Sequence, residues 1–285
     1  MTILSAAKVE PASFGDHLAD TFLQAFPEEK TQYPDFLNKM ARETLTHIGK
    51  SDAPYHNSEH TMMVTLVGQQ IMQGKQKRSE LHPSDWVHYI VALLLHDIGF
   101  TRGVCAGDTS TEVVINDAGE RVCPPQGTSD ASLARFHVDR GKIYARQRFA
   151  DSDLIDPERV AEAIEYTRFP VPDDPAYICL DTEPALARAA DLIGQIADPN
   201  YLNKLSALYH ELLETGLTTK LGYSSPMDMV EKFPNFYHQQ IEPLIGPAIA
   251  HLMQTSDGRE LVAQVNAHVS QVSRRNKQGR PFTGR

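Results

Sequence analysis

Residues 90–99 of the chain read IVALLLHDIG, an apolar run that ends in a histidine and an aspartate. The apolar run predicts a helix buried in the protein core. A histidine and a carboxylate at the end of such a helix are costly to bury unless another group compensates their charge. A divalent cation does so, because imidazole and carboxylate are both good ligands for Zn, Mn or Fe. The stretch therefore predicts a metal site at His96 and Asp97, with Gly99 letting the chain turn sharply away.

A second histidine cluster lies upstream, where residues 55–60 read YHNSEH. His56 and His60 are four residues apart, so a helical turn would place both side chains on one face. A single His-Asp pair is a weak signal by itself. Its position after a buried run, downstream of two histidines at this spacing, is a much stronger one.

Most of the remaining chain shows helical periodicity separated by Pro, Gly and Asp. Outward from the central run, we predict helices over residues 14–26, 36–48, 60–73, 84–95, 132–149, 157–166, 184–196, 201–214, 227–252 and 258–272. Pro243 and Pro247 should kink or split the long helix in which they fall. The fold class predicted is all-α.

One stretch, residues 101–130, breaks the helical pattern because it is rich in Gly, Thr, Asp and Pro. Within it, residues 112–115 and 120–123 flank the sequence Asn-Asp-Ala-Gly, which favours a small β-hairpin. The segment directly follows the His-Asp pair. It is therefore either a lid over the metal site or a surface loop that touches nothing.

Length and composition restrict the class of protein. The 285 residues carry a net charge of −10 and are 41% hydrophobic. We predict one domain over residues 1–273, with a metal core at about 50–245 and a basic, disordered tail at 274–285.

The acidic balance argues against nucleic acid as a partner. No apolar run approaches the roughly 20 residues that span a bilayer. Three cysteines without CxxC spacing and the lack of a signal-like N-terminus predict a cytoplasmic protein with no membrane partner.

The chain resembles the HD superfamily of metal-dependent phosphohydrolases, which are all-α proteins whose metal ligands follow the order His, His-Asp, Asp. His60 matches the first ligand, and His96 and Asp97 match the doublet. The last ligand would be Asp191, in the sequence Ala-Ala-Asp-Leu, with Asp181 and Asp198 as competitors near helix ends or in loops. The resemblance implies an HD-type helical bundle that binds divalent Zn, Mn, Fe or Mg, with one ion held tightly and a second as an option.

The sequence Tyr-His-Asn-x-x-His is also similar to the signature of class I cyclic-nucleotide phosphodiesterases. That resemblance makes His56 the general acid that protonates the leaving oxygen, and makes Asp97 the bridge between two ions. It nominates His137 as a ligand of the second ion, and Phe236 as the aromatic clamp on the substrate. The resemblance covers roughly residues 55–244 and is specific at the two histidine clusters.

Two departures from these families bear on the substrate and the metals. A further histidine ligand, expected three residues after Ile164, is replaced by Thr167. The glutamine that reads a purine, expected three residues before the clamp, is replaced by Phe233. These departures argue against a tightly held second ion and against a standard cyclic nucleotide.

The function expected is therefore hydrolysis of a small phosphate ester, either a nucleotide or another phosphodiester, by water activated at the metal. The side chains expected to bind that substrate are Tyr55, Phe100, Arg102, Arg168 and Phe236, although the two arginines also fit an ordinary surface role. The alternatives are an HD-type di-iron oxygenase and a non-catalytic sensor of a phosphorylated ligand. The sequence leaves open whether the protein forms a homo-oligomer.

Overall fold

The computed structural model describes residues 11–278, and its helices confirm the all-α fold class. In chain order the α-helices are α1 (Pro11–Ala25), α2 (Tyr33–Ile48), α3 (Ser58–Gln76), α4 (Pro83–Leu95), α5 (His137–Phe149), α6 (Pro157–Tyr166), α7 (Glu183–Ala197), α8 (Tyr201–Glu214), α9 (Leu217–Leu221), α10 (Pro226–Phe236), α11 (Glu242–Leu252) and α12 (Ser256–Gln278). No helix within residues 11–278 is long and apolar enough to cross a membrane.

The core is formed by α3, α4 and α7, whose residues are buried on nearly every side. Helix α3 packs against α4, α7 and α11, and α7 also contacts α6 and α12. The crossing of α3 and α7 is close, because a Cβ added at Gly194 would lie only 2.9 Å from the Cα of Val64. This close packing brings the first turn of α3 and the middle of α7 to the end of α4, where the His-Asp pair lies.

Several boundaries differ from the sequence prediction for identifiable reasons. The long helix predicted from residue 132 begins only at His137, because a 3-10 turn over Asp130–Leu133 precedes it. The helix predicted over 227–252 is divided into α10 and α11 by a π-helical turn, Tyr237–Ile241. That turn ends just before Pro243, which cannot donate the backbone hydrogen bond that a continuous helix needs. The predicted break is present just before Pro243, whereas α11 continues through Pro247. The short helix α9 was not predicted.

The predicted disordered tail at 274–285 is wrong in its first part. Helix α12 continues to Gln278, six residues beyond the predicted end at 272, and Asn276 donates a side-chain hydrogen bond to the carbonyl of Glu231. Residues 279–285 of the tail, and residues 1–10 of the predicted domain, lie outside the described residues.

The predicted hairpin is present as two short antiparallel strands, β1 (Val113–Val114) and β2 (Arg121–Val122), with Val113 opposite Val122. The insertion is attached to α5 by Arg140, which is fully buried. Its guanidinium donates to the carbonyls of Thr101 and Val114 and forms an ion pair with Asp108. No residue of 101–130 lines the cavity that contains Asp97 and Asp191, so the structure contradicts the lid hypothesis. The reason is that Arg140 draws the segment onto α5.

Candidate metal centre

Three helix ends bring the motif residues together. His60 lies in the first turn of α3, which begins where the Asn57 side chain accepts hydrogen bonds from the backbone N–H groups of Glu59 and His60. His96 and Asp97 follow the last residue of α4. Gly99 does not have a left-handed backbone here; a Cβ at this position would instead lie 1.9 Å from the carbonyl oxygen of His137. Glycine is therefore required for the close approach of the start of α5.

The ligand atoms of His60, His96 and Asp97 converge in the protein interior. His96 Nε2 lies 3.3 Å from His60 Nε2 and 3.1 Å from Asp97 Oδ2, while His60 Nε2 lies 3.2 Å from the same carboxylate oxygen. All three side chains are buried. His96 Nδ1 donates a hydrogen bond to the carbonyl of Leu93, so the neutral ring presents the lone pair of Nε2 to the cluster.

Asp191, on α7, adds a carboxylate to this group. Its Oδ1 lies 3.4 Å from His60 Nε2 and 3.7 Å from His96 Nε2. The two competing aspartates are engaged elsewhere, because Asp181 pairs with His251 and Asp198 pairs with Lys204. The structure therefore brings together the four predicted ligands of a first ion.

The donor set fits a divalent cation. Asp97 Oδ2 is buried and has no hydrogen-bond partner among the described residues, although two imidazole nitrogens lie within 3.2 Å of it. A buried carboxylate oxygen without a partner is costly, and a cation bound between it and the imidazoles would remove that cost. The group of His60, His96 and Asp97 could thus hold a metal ion.

Without a cation, protons must balance the carboxylates. Burial alone would lower the pKa of His96, but the Asp97 carboxylate outweighs burial and raises the pKa of His96 to about 9. Burial alone would raise the pKa of Asp97, but His96 and His56 hold it well below its usual value. Because the protonated imidazole and the cation occupy the same place, metal binding should release protons.

His56 lies beside the cluster, but not on a shared helical face as the sequence predicted. It precedes α3, and the chain is extended at Asn57. Glu211, on α8, holds it: one carboxylate oxygen accepts from His56 Nδ1 at 2.5 Å, and the other accepts from the backbone N–H groups of Tyr55 at 2.6 Å and His56 at 3.2 Å. Burial alone would lower the pKa of His56, but Glu211 and Asp97 outweigh it and raise that pKa.

Sequence reasoning missed Glu211. Leu205, Leu208 and Leu212 form an apolar stripe along α8, and Glu211 lies beside that stripe, so helical spacing alone did not mark it as buried. A carboxylate there must have a partner when buried, and its partner is His56.

Phe100 lies between two histidines. Its ring stacks on His56 at a centroid distance of 4.6 Å and on His137 at 4.4 Å. His137 Nδ1 donates to the carbonyl of Ala134, and its Nε2 lies 3.7 Å from Asp97 Oδ1. The two oxygens of Asp97 thus face opposite sides, one towards His60 and His96 and the other towards His137.

A cavity of about 170 Å³ opens from this cluster. Asp97, Asp191, His56 and His137 line one end of it. Most of its wall is apolar and comes from α8, α9 and α10. Two predicted substrate-binding residues, Phe100 and Phe236, are part of the lining, and Phe169 packs edge-on against Phe236.

The other predicted substrate-binding residues do not line the cavity. Tyr55 is buried behind His56 and His60, with its ring against both imidazoles. Arg102 pairs with Asp130 at 2.7 Å. Arg168 pairs with Glu165 and Asp139. Both arginines already have carboxylate partners, which agrees with the structural role that the sequence left open.

The two positions that the sequence analysis noted as departures from the expected motifs do lie in the site. Thr167 stands on the cavity wall where a further histidine ligand was expected, and its hydroxyl donates to the carbonyl of Ile164. Phe233 stands there in place of the purine-reading glutamine and packs edge-on against Tyr201.

Fold and site together define an all-α protein with a buried His, His-Asp group that could hold a metal ion at the end of an apolar cavity. The chain belongs to the Npun_R2479-like family, whose model matches residues 5–275. No curated protein matches the chain. The family description names no activity.

Proposed function

We propose that this protein is a metal-dependent phosphohydrolase of the HD superfamily that cleaves a phosphate ester. The observation that carries the proposal is the convergence of His60, His96 and Asp97 around an unpartnered carboxylate oxygen, next to a histidine held by a buried glutamate. The group of His60, His96 and Asp97 suits a divalent cation, and the histidine held by the glutamate suits proton transfer.

His60, His96, Asp97 and Asp191 would hold the ion. When bound, a divalent ion supplies an acidified water and neutralises charge that develops on the phosphoryl oxygens. His137, on the other side of Asp97, would contribute to a second ion. The chain has Thr167 where a sixth ligand would stand, so this second position has fewer protein donors.

His56 would supply the proton for the leaving group. Glu211 accepts the hydrogen bond from Nδ1, which leaves Nε2 as the nitrogen that can hold or release a proton. In the reaction, water forms a new P–O bond, the ester P–O bond breaks, and the proton on His56 passes to the departing alkoxide. The water's proton can return to His56, so the products are an alcohol and a phosphate.

The decisive experiment is a turnover screen of the purified protein with added Mg, Mn, Zn or Fe. The panel would contain nucleotides, cyclic nucleotides, alkyl phosphates and generic diesters, and His60→Ala would be the matched control. We expect metal-dependent phosphate or alcohol release from at least one class, and none from the control.

Two outcomes would contradict the proposal. Oxygen consumption with an iron-loaded protein, without ester cleavage, would indicate the oxygenase alternative. Tight binding of a phosphorylated ligand without turnover in any metal form would indicate a sensor.

A further inference from the structure

We infer that the group released from the phosphate is a small apolar alcohol rather than a nucleoside. This inference rests on the proposed function, but it concerns the cavity wall and can be tested by binding alone. The inference is based on the composition, charge and size of the cavity, and on the continuity of the cavity with the metal cluster.

The wall is built from aliphatic and aromatic side chains. Leu205, Leu208 and Leu212 contribute from α8, and Met229, Phe233 and Phe236 from α10. Away from the metal end, four lining residues carry a polar group, namely Thr167, Gln195, Tyr201 and Tyr223. Of these, Gln195 donates to Asp191 and Thr167 donates to the carbonyl of Ile164. A nucleobase buried here would lose hydrogen bonds to water and regain few, which would cost binding free energy.

The charge of the cavity wall also restricts which substrates can bind. Among the described residues, no lysine or arginine lines the cavity. Lys220 and Lys232 lie in a neighbouring shallow groove that shares Phe169, Leu221, Tyr223 and Phe236 with the cavity wall. Lys232 is already bonded to the carbonyl of Gly222 and to Asp228. A phosphate can therefore be neutralised only at the metal end, which disfavours substrates with several phosphates along their length.

The size of the cavity limits the ligand. An apolar cavity of about 150 Å³ holds a benzene molecule, and this one measures about 170 Å³. The cavity includes the metal end, so the space beside a phosphate is limited to about six carbon atoms or fewer. A purine nucleoside is far larger and would have to remain mostly outside.

The cavity is continuous with the proposed chemistry. Asp97 and His56 line the same space as Leu205 and Phe236. A phosphate near Asp97 would thus place its organic group directly against the apolar wall. The occupant we propose is the alkyl or aryl part of the substrate itself.

The test uses two ligand series of increasing chain length, from two to ten carbons, titrated into zinc- or manganese-loaded full-length protein. Alkylphosphonic acids carry a head group that is not hydrolysed, and alkan-1-ols carry none. Each added methylene should tighten binding about three- to fourfold. The gain should stop at or before about six carbons, when the cavity is filled.

Two adjacent leucines on α8 provide matched variants. Leu212 lines the cavity, whereas Leu213 is 52% exposed and does not. Leu212→Gln should weaken octylphosphonate binding at least about fivefold and leave ethylphosphonate nearly unchanged. Leu213→Gln should bind both as the wild type does. Melting temperatures close to that of the wild type would establish that both variants are folded.

The outcomes separate this inference from the proposed function. If both series show the length dependence but phosphonates bind no more tightly than alcohols, the apolar subsite stands and the phosphohydrolase proposal fails. If phosphonates bind tightly at every length without a gain per methylene, the subsite inference is wrong and the phosphate site stands. Failure of both series to bind, or equal losses in both variants, would also overturn the inference.

Discussion

His56 is held at one ring nitrogen and lines the cavity, which is the arrangement expected of a proton donor. A ligand of the proposed metal would instead direct a nitrogen into the group formed by His60, His96 and Asp97. The centroid of the His56 ring lies 5.5 Å from that of His60, so the two side chains can act in the same space without sharing a role.

The residue-scale prediction separates these roles. His56→Ala should keep its metal and lower kcat by about 10²–10⁴-fold, the usual contribution of a positioned acid. The loss should be smaller for a nitrophenyl ester, whose leaving group needs little protonation. Metal content by elemental analysis and rates on both ester types are the measurements.

The controls for this prediction are His60→Ala and Glu211→Gln. His60→Ala should lose metal and activity together for every substrate. Glu211→Gln has one accepting oxygen and no charge, so it cannot accept from both His56 Nδ1 and the backbone N–H groups of Tyr55 and His56. It should lose about 10–100-fold, mainly on poor leaving groups. Loss of metal from His56→Ala would make His56 a ligand and refute its role as the acid.

At the element scale, Arg140 fixes the 101–130 segment onto α5. Arg140→Met should destabilise the protein by about 3–5 kcal/mol, because it leaves the buried Asp108 carboxylate and several carbonyls without their donor. Arg146→Met, on the same helix, removes ion pairs to Asp117 and Glu158 whose carboxylates are 66% exposed, and should cost no more than about 1 kcal/mol. Urea unfolding measures both, and equal losses would contradict the anchoring role.

Helix α6 ends in an ion-pair network that should give a pH-dependent stability. Partial burial alone would raise the pKa of Glu165, but Arg168 and Lys142 outweigh it and hold that pKa at about 2. A folded-state pKa below the unfolded value of 4.5 contributes stability that is present above pH 4.5 and lost as the pH falls towards 2.

The corresponding variant is Glu165→Gln. Allowing for solvent screening, it should lower the unfolding free energy by about 1–2 kcal/mol at pH 7, and its deficit should shrink between pH 4.5 and pH 3. Glu162→Gln, at an exposed position of α6, is the control and should show no such pH dependence. A deficit that stays constant down to pH 3 would argue against the ion pairs as its cause.

Some elements of the fold could be predicted from the sequence and others could not. Helices α3 and α4 and the hairpin were predicted correctly because their signals are local: periodicity, caps and turn residues. The start of α5 was misjudged because a 3-10 turn and an α-helix share the same residue preferences. Arg140 was not predicted, since its partners lie on segments far apart in the sequence.

In the site, too, some residues could be predicted from sequence and others could not. The two histidine motifs, together with the family resemblance that nominated Asp191, were enough to predict His60, His96, Asp97 and Asp191 as neighbours. It could not indicate the orientation of Arg102 or Arg168, because an arginine that binds phosphate and one that binds a carboxylate look alike in sequence.

At the scale of the whole molecule, the proposed metal would connect α3, α4 and α7, which form the core. Removing it should therefore lower global stability. A ligand at 1,000 times its dissociation constant stabilises a protein by about 4 kcal/mol, so chelation should lower the melting temperature by several degrees. His60→Ala should melt at the same temperature with and without chelator. An unchanged wild-type melting temperature after confirmed metal removal would contradict a structural contribution from the ion.

The separation of the site residues along the chain has a consequence during protein synthesis. His56 and Glu211 are 155 residues apart, and Asp191 also emerges late. At about 5–20 residues per second, the ribosome exposes His56 and His60 many seconds before these carboxylates. Cations captured in that interval would be held by an incomplete ligand set. We expect stalled nascent chains that end before α7 to give up zinc to a chelator against which the finished protein retains it.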